Sequence, residues 1–243
     1  MIKVLLMLLK LAKFGPVLKS AGFMLLSVGA YALLFGWRYA IGFVLLLLMH
    51  EMGHYLAARR LGMRVGLPMF IPFVGAWIEL KDHPLSVDQE AHIAFAGPFV
   101  GTLAAAAVLA VSLWEHSALL LALAYAGFFL NLFNLIPVSP FDGGRIVAIL
   151  SPKVWFVGVP VLAGAFMLSP SPMFLMILLL LAPTIYAALR AAWRGEVPAH
   201  NPRYYDVPLD ARVRYASYYV LLLGFLCVMT FRTHQQIEAL RNL

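Results

Sequence analysis

The chain has 243 residues, of which 63% are hydrophobic and only 12% charged, whereas an ordinary soluble domain carries roughly 25% charged residues. That balance excludes a water-soluble globule and points to a protein embedded in lipid. The single cysteine excludes an intrachain disulfide and a cysteine-built metal site, and the net charge of +7 is accounted for by membrane topology rather than by a nucleic-acid partner.

The opening segment, MIKVLLMLLKLAKF, puts Lys3, Lys10 and Lys13 on one helical face and leucines on the other. This pattern suits a helix lying in the headgroup region better than a cleaved signal peptide, so residues 1–19 are expected to form an interfacial amphipathic helix. Low-charge stretches then recur, and about 20 helical residues cross a hydrocarbon core of about 30 Å. They fall at 20–37, 39–58, 91–114, 118–136, 154–168, 173–189 and 216–231. With a cytoplasmic amino terminus, seven crossings leave fifteen Lys and Arg residues inside and only Arg38, Arg232 and Arg241 outside, as the positive-inside bias requires.

The second stretch carries LLLLMHEMGHYLAARRLG over residues 45–62. Ionisable groups inside a span are expensive and mark function. His50 and His54 are four residues apart, about 40° around a helix, so both imidazoles can reach one ion, while Glu51 sits one step from His50 and can meet an ion-bound water. Neutral imidazole suits Zn²⁺, and a catalytic zinc takes three protein ligands and leaves one position open.

Residues 63–80, MRVGLPMFIPFVGAWIEL, are punctuated by Gly66, Pro68, Pro72 and Gly75. Short β-prone runs between such breakers predict two short strands or a re-entrant hairpin, whose edge can pair with an extended peptide. In the third stretch, Gly97 and Gly101 in AGPFVG flank Pro98, a spacing that lets helices pack closely around a kink.

The third ligand is sought in LNLFNLIPVSPFDGGRIVAIL. Asp142 follows Pro137 and Pro140 and precedes Gly143 and Gly144, where one helix must break before another begins. An aspartate there is a good N-cap, or the break is a means of placing a carboxylate beside the ion. Arg145 reads as an oxyanion donor or an interfacial anchor. The loop 190–214, with three prolines and mixed charge, reads as a solvated cytoplasmic segment.

HEMGH at 50–54 with NLIPVSPFDGG at 134–144 resembles the paired signatures of the site-2 protease family of intramembrane zinc metalloproteases. The likeness extends over about residues 39–150, including AGPFVG. It departs at Ser139, where the family's second proline is shifted here to Pro140, and no PDZ insertion separates the third and fourth spans. The resemblance implies that Asp142 completes the zinc site with His50 and His54, that Glu51 is the catalytic base, and that Asn134 binds substrate backbone, with Asn131 a weaker candidate.

The expectation is thus an all-α polytopic membrane protein of six or seven transmembrane helices with a hairpin near 63–80, forming one integral-membrane domain over 1–243. Within it, 20–150 hold the core spans and zinc site, and 151–243 hold additional spans and the 190–214 loop. The function expected is zinc-dependent hydrolysis of a peptide bond in or near a transmembrane segment of a membrane-protein substrate, nearer the cytoplasmic side, in a prokaryotic cytoplasmic membrane. The alternative from another class is a membrane zinc carrier or sensor without proteolysis. Glu51 separates the two, because transport has no need of a general base, and His92 and His116 are too scattered to form a metal path.

Overall fold

A computed structural model of the chain describes residues 15–242 apart from positions 74 and 169. Lys3, Lys10 and Lys13, on which the interfacial-helix expectation rests, lie outside the described residues. From Gly15 onward the chain is helical, and the first helix runs unbroken through the start expected for the first span.

The described helices are α1 (Gly15–Phe35), α2 (Trp37–Arg60), α3 (Val87–Glu115), α4 (Ala118–Asn134), α5 (Asp142–Val147), α6 (Trp155–Leu168), α7 (Pro172–Arg194) and α8 (Leu209–Arg241). Strands β1 (Met69–Ile71) and β2 (Gly75–Trp77) follow α2, and a 3₁₀ turn at Pro152–Val154 leads into α6. Among the described residues five helices are long and apolar enough to cross a membrane, and α4 and α6 are shorter apolar helices. All seven fall on the stretches marked by low charge in the sequence, and the chain is an integral membrane protein.

Several helices outrun those stretches, α8 and α3 among them. With 33 residues, α8 extends about 50 Å at 1.5 Å per residue, well beyond a hydrocarbon core. Its polar ends, including Asp210, Arg212, Arg232 and Arg241, continue the same helix on either side of the apolar centre. Helix α3 starts before its apolar run because Ser86 caps it: the Ser86 hydroxyl accepts from Gln89 N at 3.3 Å, and Gln89 Oε1 accepts in return from Leu85 N at 2.9 Å. Such reciprocal exchange satisfies donors that a bare helix start leaves open.

Helices α2, α3 and α4 pack side by side, and α8 closes over α3, α4 and α5. The largest buried cluster joins Val87, Ala91, Ala94 and Ala105 of α3 to Phe128 of α4, Ile146 of α5 and Leu226 of α8. Small residues on α3 let these helices approach closely. Helix α7 is peripheral, with an apolar window that contains no buried residue.

The 63–80 segment forms the expected hairpin. Met69 pairs with Trp77, Phe70 with Ala76 and Ile71 with Gly75, all antiparallel, and a further bridge joins Val65 to Leu80. The hairpin lies along α1: the Ser20 hydroxyl donates to Pro68 O at 2.5 Å, and Phe73 N donates to the Tyr31 hydroxyl at 3.2 Å. Eleven helical residues separate those contacts, about 16 Å along the axis, so the hairpin re-enters beside a span. Non-helical backbone at such depth must be covered by protein or line a wet cavity, and here Phe70 is buried against α1 and α2.

Candidate metal centre

The break between α4 and α5 decides what Asp142 does. Residue Phe141, not Asp142, occupies the N-cap position of α5, and no side chain caps that helix. Asp142 is its first helical residue, so its carboxylate is free of a capping role. It turns instead toward α2.

There, His50, Glu51, His54 and Asp142 are only 3%, 5%, 5% and 7% exposed. His50 Nε2 lies 3.1 Å from His54 Nε2 and 3.2 Å from Asp142 Oδ2, and His54 Nε2 lies 3.1 Å from the same oxygen. Ligands about 2.0–2.1 Å from a tetrahedral zinc stand about 3.3–3.4 Å apart. The observed triangle is within a few tenths of an ångström of that figure, and its donor set, two imidazoles and a carboxylate, is one zinc accepts. Among the described residues this is the group of three or more His, Cys, Asp or Glu side chains that could hold a metal ion.

The far sides of the imidazoles fix which nitrogen faces the centre. His54 Nδ1 donates to Ile93 O at 2.8 Å, and a carbonyl can only accept. His50 Nδ1 lies 2.8 Å from Asn131 Oδ1, and the Asn131 amide is oriented by its Nδ2 donating to Gly127 O at 2.7 Å. Both Nδ1 atoms therefore carry the proton, which leaves both Nε2 lone pairs directed at the shared point. Outer hydrogen bonds of this kind set ligand tautomer and basicity.

Helix α3 provides the space. A β-carbon at Gly97 would collide with the His54 ring, and one at Gly101 with the Asn131 amide. The AGPFVG motif, which reads in sequence as a packing device, thus clears room for the His54 ring and for the Asn131 side chain that holds the His50 ring.

Asn134 is placed differently from Asn131. Its Nδ2 donates to Leu130 O of its own helix at 3.1 Å, and it is only partly buried. Arg145 does not stand free as an anchor: its Nε donates to Glu90 Oε1 at 3.1 Å, and its Nη1 lies 3.5 Å from Asp142 Oδ1. Glu90 and Tyr204, whose hydroxyl donates to Glu90 Oε2, were not among the residues the sequence singled out. Glu90 reads locally as an acid in a first helical turn and Tyr204 as part of a polar loop, and nothing local signals that they meet.

The sequence pattern of peptidase family M50 matches residues 38–117 and 112–180. The zinc metalloprotease MJ0392 of Methanocaldococcus jannaschii is 33% identical over 128 residues, covering 49% of this chain and 37% of that protein. The protein Rip3 of Mycobacterium tuberculosis is 30% identical over 141 residues, covering 50% of this chain and 34% of its own length. The chain thus corresponds to little more than a third of these relatives. Among solved structures, the site-2 protease of Methanocaldococcus jannaschii superposes with a TM-score of 0.44 at 22% identity, over 76% of this chain and 87% of that one.

Proposed function

Because the chain belongs to peptidase family M50, the site-2 protease family, we propose that it is a zinc-dependent endopeptidase that hydrolyses a peptide bond in or near a transmembrane segment of a membrane-protein substrate. The observation that carries the proposal is the buried triangle of His50, His54 and Asp142 with Glu51 on the same helix. A carrier has no need of a general base, whereas Glu51 stands buried beside His50 on the same helix.

His50, His54 and Asp142 would hold the ion. Zinc, when bound, supplies Lewis acidity, polarising the scissile carbonyl and lowering the pKa of a bound water toward 7. Glu51 accepts a proton from water as its oxygen bonds to the carbonyl carbon, then passes that proton to the amine nitrogen as the C–N bond breaks. Burial of Glu51 keeps competing solvent away from this transfer. Asn134 is proposed to contact substrate backbone, which requires its side chain to exchange the Leu130 carbonyl for a substrate partner.

A substrate helix hides its amides in its own hydrogen bonds and must unwind before it can be cut. The hairpin of β1 and β2 offers edge backbone to the unwound strand, and the peripheral α7 is suited to lateral entry. The excess of Lys and Arg on one side of the spans supports a cytoplasmic amino terminus, which puts His50 and His54 in the inward half of α2 and the cut nearer the cytoplasm. Reconstituted chain should cleave a transmembrane peptide at one site, read by mass spectrometry. Zinc binding without cleavage of any membrane substrate, together with zinc flux across the vesicle, would support the carrier instead.

A further inference from the structure

The two oxygens of Asp142 are divided between different partners. Oδ2 faces the imidazoles, whereas Oδ1 faces Arg145 Nη1 at 3.5 Å. Arg145 is one turn further along α5, and its Nε is bonded to Glu90 Oε1 at the start of α3. The other oxygen of Glu90 accepts from the Tyr204 hydroxyl. Three successive contacts therefore lead from a ligand carboxylate to the segment between α7 and α8.

That segment is firmly seated. Val87 N donates to Tyr204 O at 2.9 Å, Asn201 Nδ2 to Leu85 O at 2.5 Å, and His200 Nε2 to Pro84 O at 3.0 Å. From the other side, Arg212 Nη2 donates to Tyr205 O at 3.0 Å, and Tyr204 itself is 3% exposed. A loop that was merely solvated would not bury a tyrosine between a carboxylate and a backbone amide. Arg145, for its part, holds Glu90 by a directed bond from Nε and faces Asp142 Oδ1 from Nη1 as an ion pair, engaging two partners from two nitrogens of one guanidinium where a lysine would supply a single point charge. Helix α5 has only six residues, so the orientation of Asp142 depends on tertiary contacts, among them Trp155 Nε1 donating to Gly144 O at 2.8 Å and the contacts of Arg145.

We propose that Arg145, Glu90 and Tyr204 form a positioning relay through which docking of the 195–208 segment fixes the orientation of Asp142, so that zinc retention depends on that segment. The relay rests on His50, His54 and Asp142 being the zinc ligands. It makes the segment a control point: whatever lifts 195–208 from the start of α3 loosens the metal.

The test is chelator competition for zinc on purified full-length chain, comparing wild type with Tyr204→Phe, Arg145→Lys and the double variant. Arg145→Lys should weaken zinc affinity about 10-fold to 100-fold, the usual effect of losing an outer-shell partner. Tyr204→Phe, which removes one hydroxyl and keeps the ring, should weaken it about threefold or more. Because the contacts act in series, the double variant should match Arg145→Lys within about twofold. Limited proteolysis gives a second readout: zinc should slow cutting within 195–208 in wild type and lose that effect in Arg145→Lys, since coupling is reciprocal. Tyr204→Phe holding zinc within twofold of wild type, or losses that multiply in the double variant, would overturn the relay. A wild-type chain that binds no zinc would instead overturn the underlying ligand assignment.

Discussion

At the scale of single residues, the proposed site divides labour between atoms that would face the ion and atoms that hold those side chains in place. Glu51 belongs to neither group, and its neutral amide should separate chemistry from binding. Glu51→Gln is predicted to keep zinc at wild-type stoichiometry while kcat falls about 10²-fold to 10⁴-fold, the usual contribution of a general base; measurable turnover near wild type would remove Glu51 from the mechanism. The two asparagines make a paired prediction. Asn131→Leu takes the acceptor from His50 Nδ1 and should weaken zinc affinity about 10-fold to 100-fold, whereas Asn134→Ala should leave zinc affinity unchanged and raise KM. Titration of zinc against both variants, beside Michaelis curves for Asn134→Ala, checks the pair. The two histidines and Glu51 were legible because one helical turn defines their geometry. Asn131 was singled out only as a weaker substrate-backbone candidate; its place behind His50 was not legible, because that depends on a ring on another helix, 81 positions away.

At the scale of elements, α3 explains why small residues sit where they do. Gly97→Ala would drive a methyl into His54, and overpacking of this kind costs about 1–3 kcal/mol. The expected result is a lower Tm together with weaker zinc binding, measured on the same preparation; a stable protein with unchanged metal affinity would show that the His54 ring can yield. The hairpin was readable from its breakers and β-prone runs, while its depth against α1 was not, since it depends on the Tyr31 and Ser20 contacts. At its base, Arg64 holds Asp82 with Nη2 to Oδ1 at 2.7 Å and backbone N to Oδ2 at 2.7 Å. The Arg64 guanidinium keeps the Asp82 carboxyl below its usual range. A lowered folded-state pKa gives stability that is present above the unfolded value, about 3.9, and lost as pH falls through the lowered one. Proteolysis of the hairpin should therefore be flat with pH down to about 4 and rise below it. Asp82→Asn should show the faster cutting at neutral pH.

At the scale of the whole molecule, seven apolar stretches were visible because hydrocarbon imposes one simple requirement on composition and length. The helix boundaries were less so, because a helix continues into water wherever caps and propensity allow, as both ends of α8 do. The convergence of α2 with α5 was indicated by a helix break and by family likeness, not by any periodicity. The same limit hid the seating of the 195–208 segment on the start of α3, where partners lie 114 or 116 positions apart. Orientation is testable directly: cysteines placed at Arg59 and Arg64 should be labelled from the cytoplasmic side only, and labelling from outside would reverse the proposed side of cleavage.

The central claim is that segments 88 positions apart share one zinc within the membrane. Zinc bound per chain under chelator challenge, compared between Asp142→Ala and Glu51→Gln, tests it most directly. The account predicts a metal-depleted Asp142→Ala beside a fully loaded Glu51→Gln. Equal zinc in Asp142→Ala and wild type would contradict it.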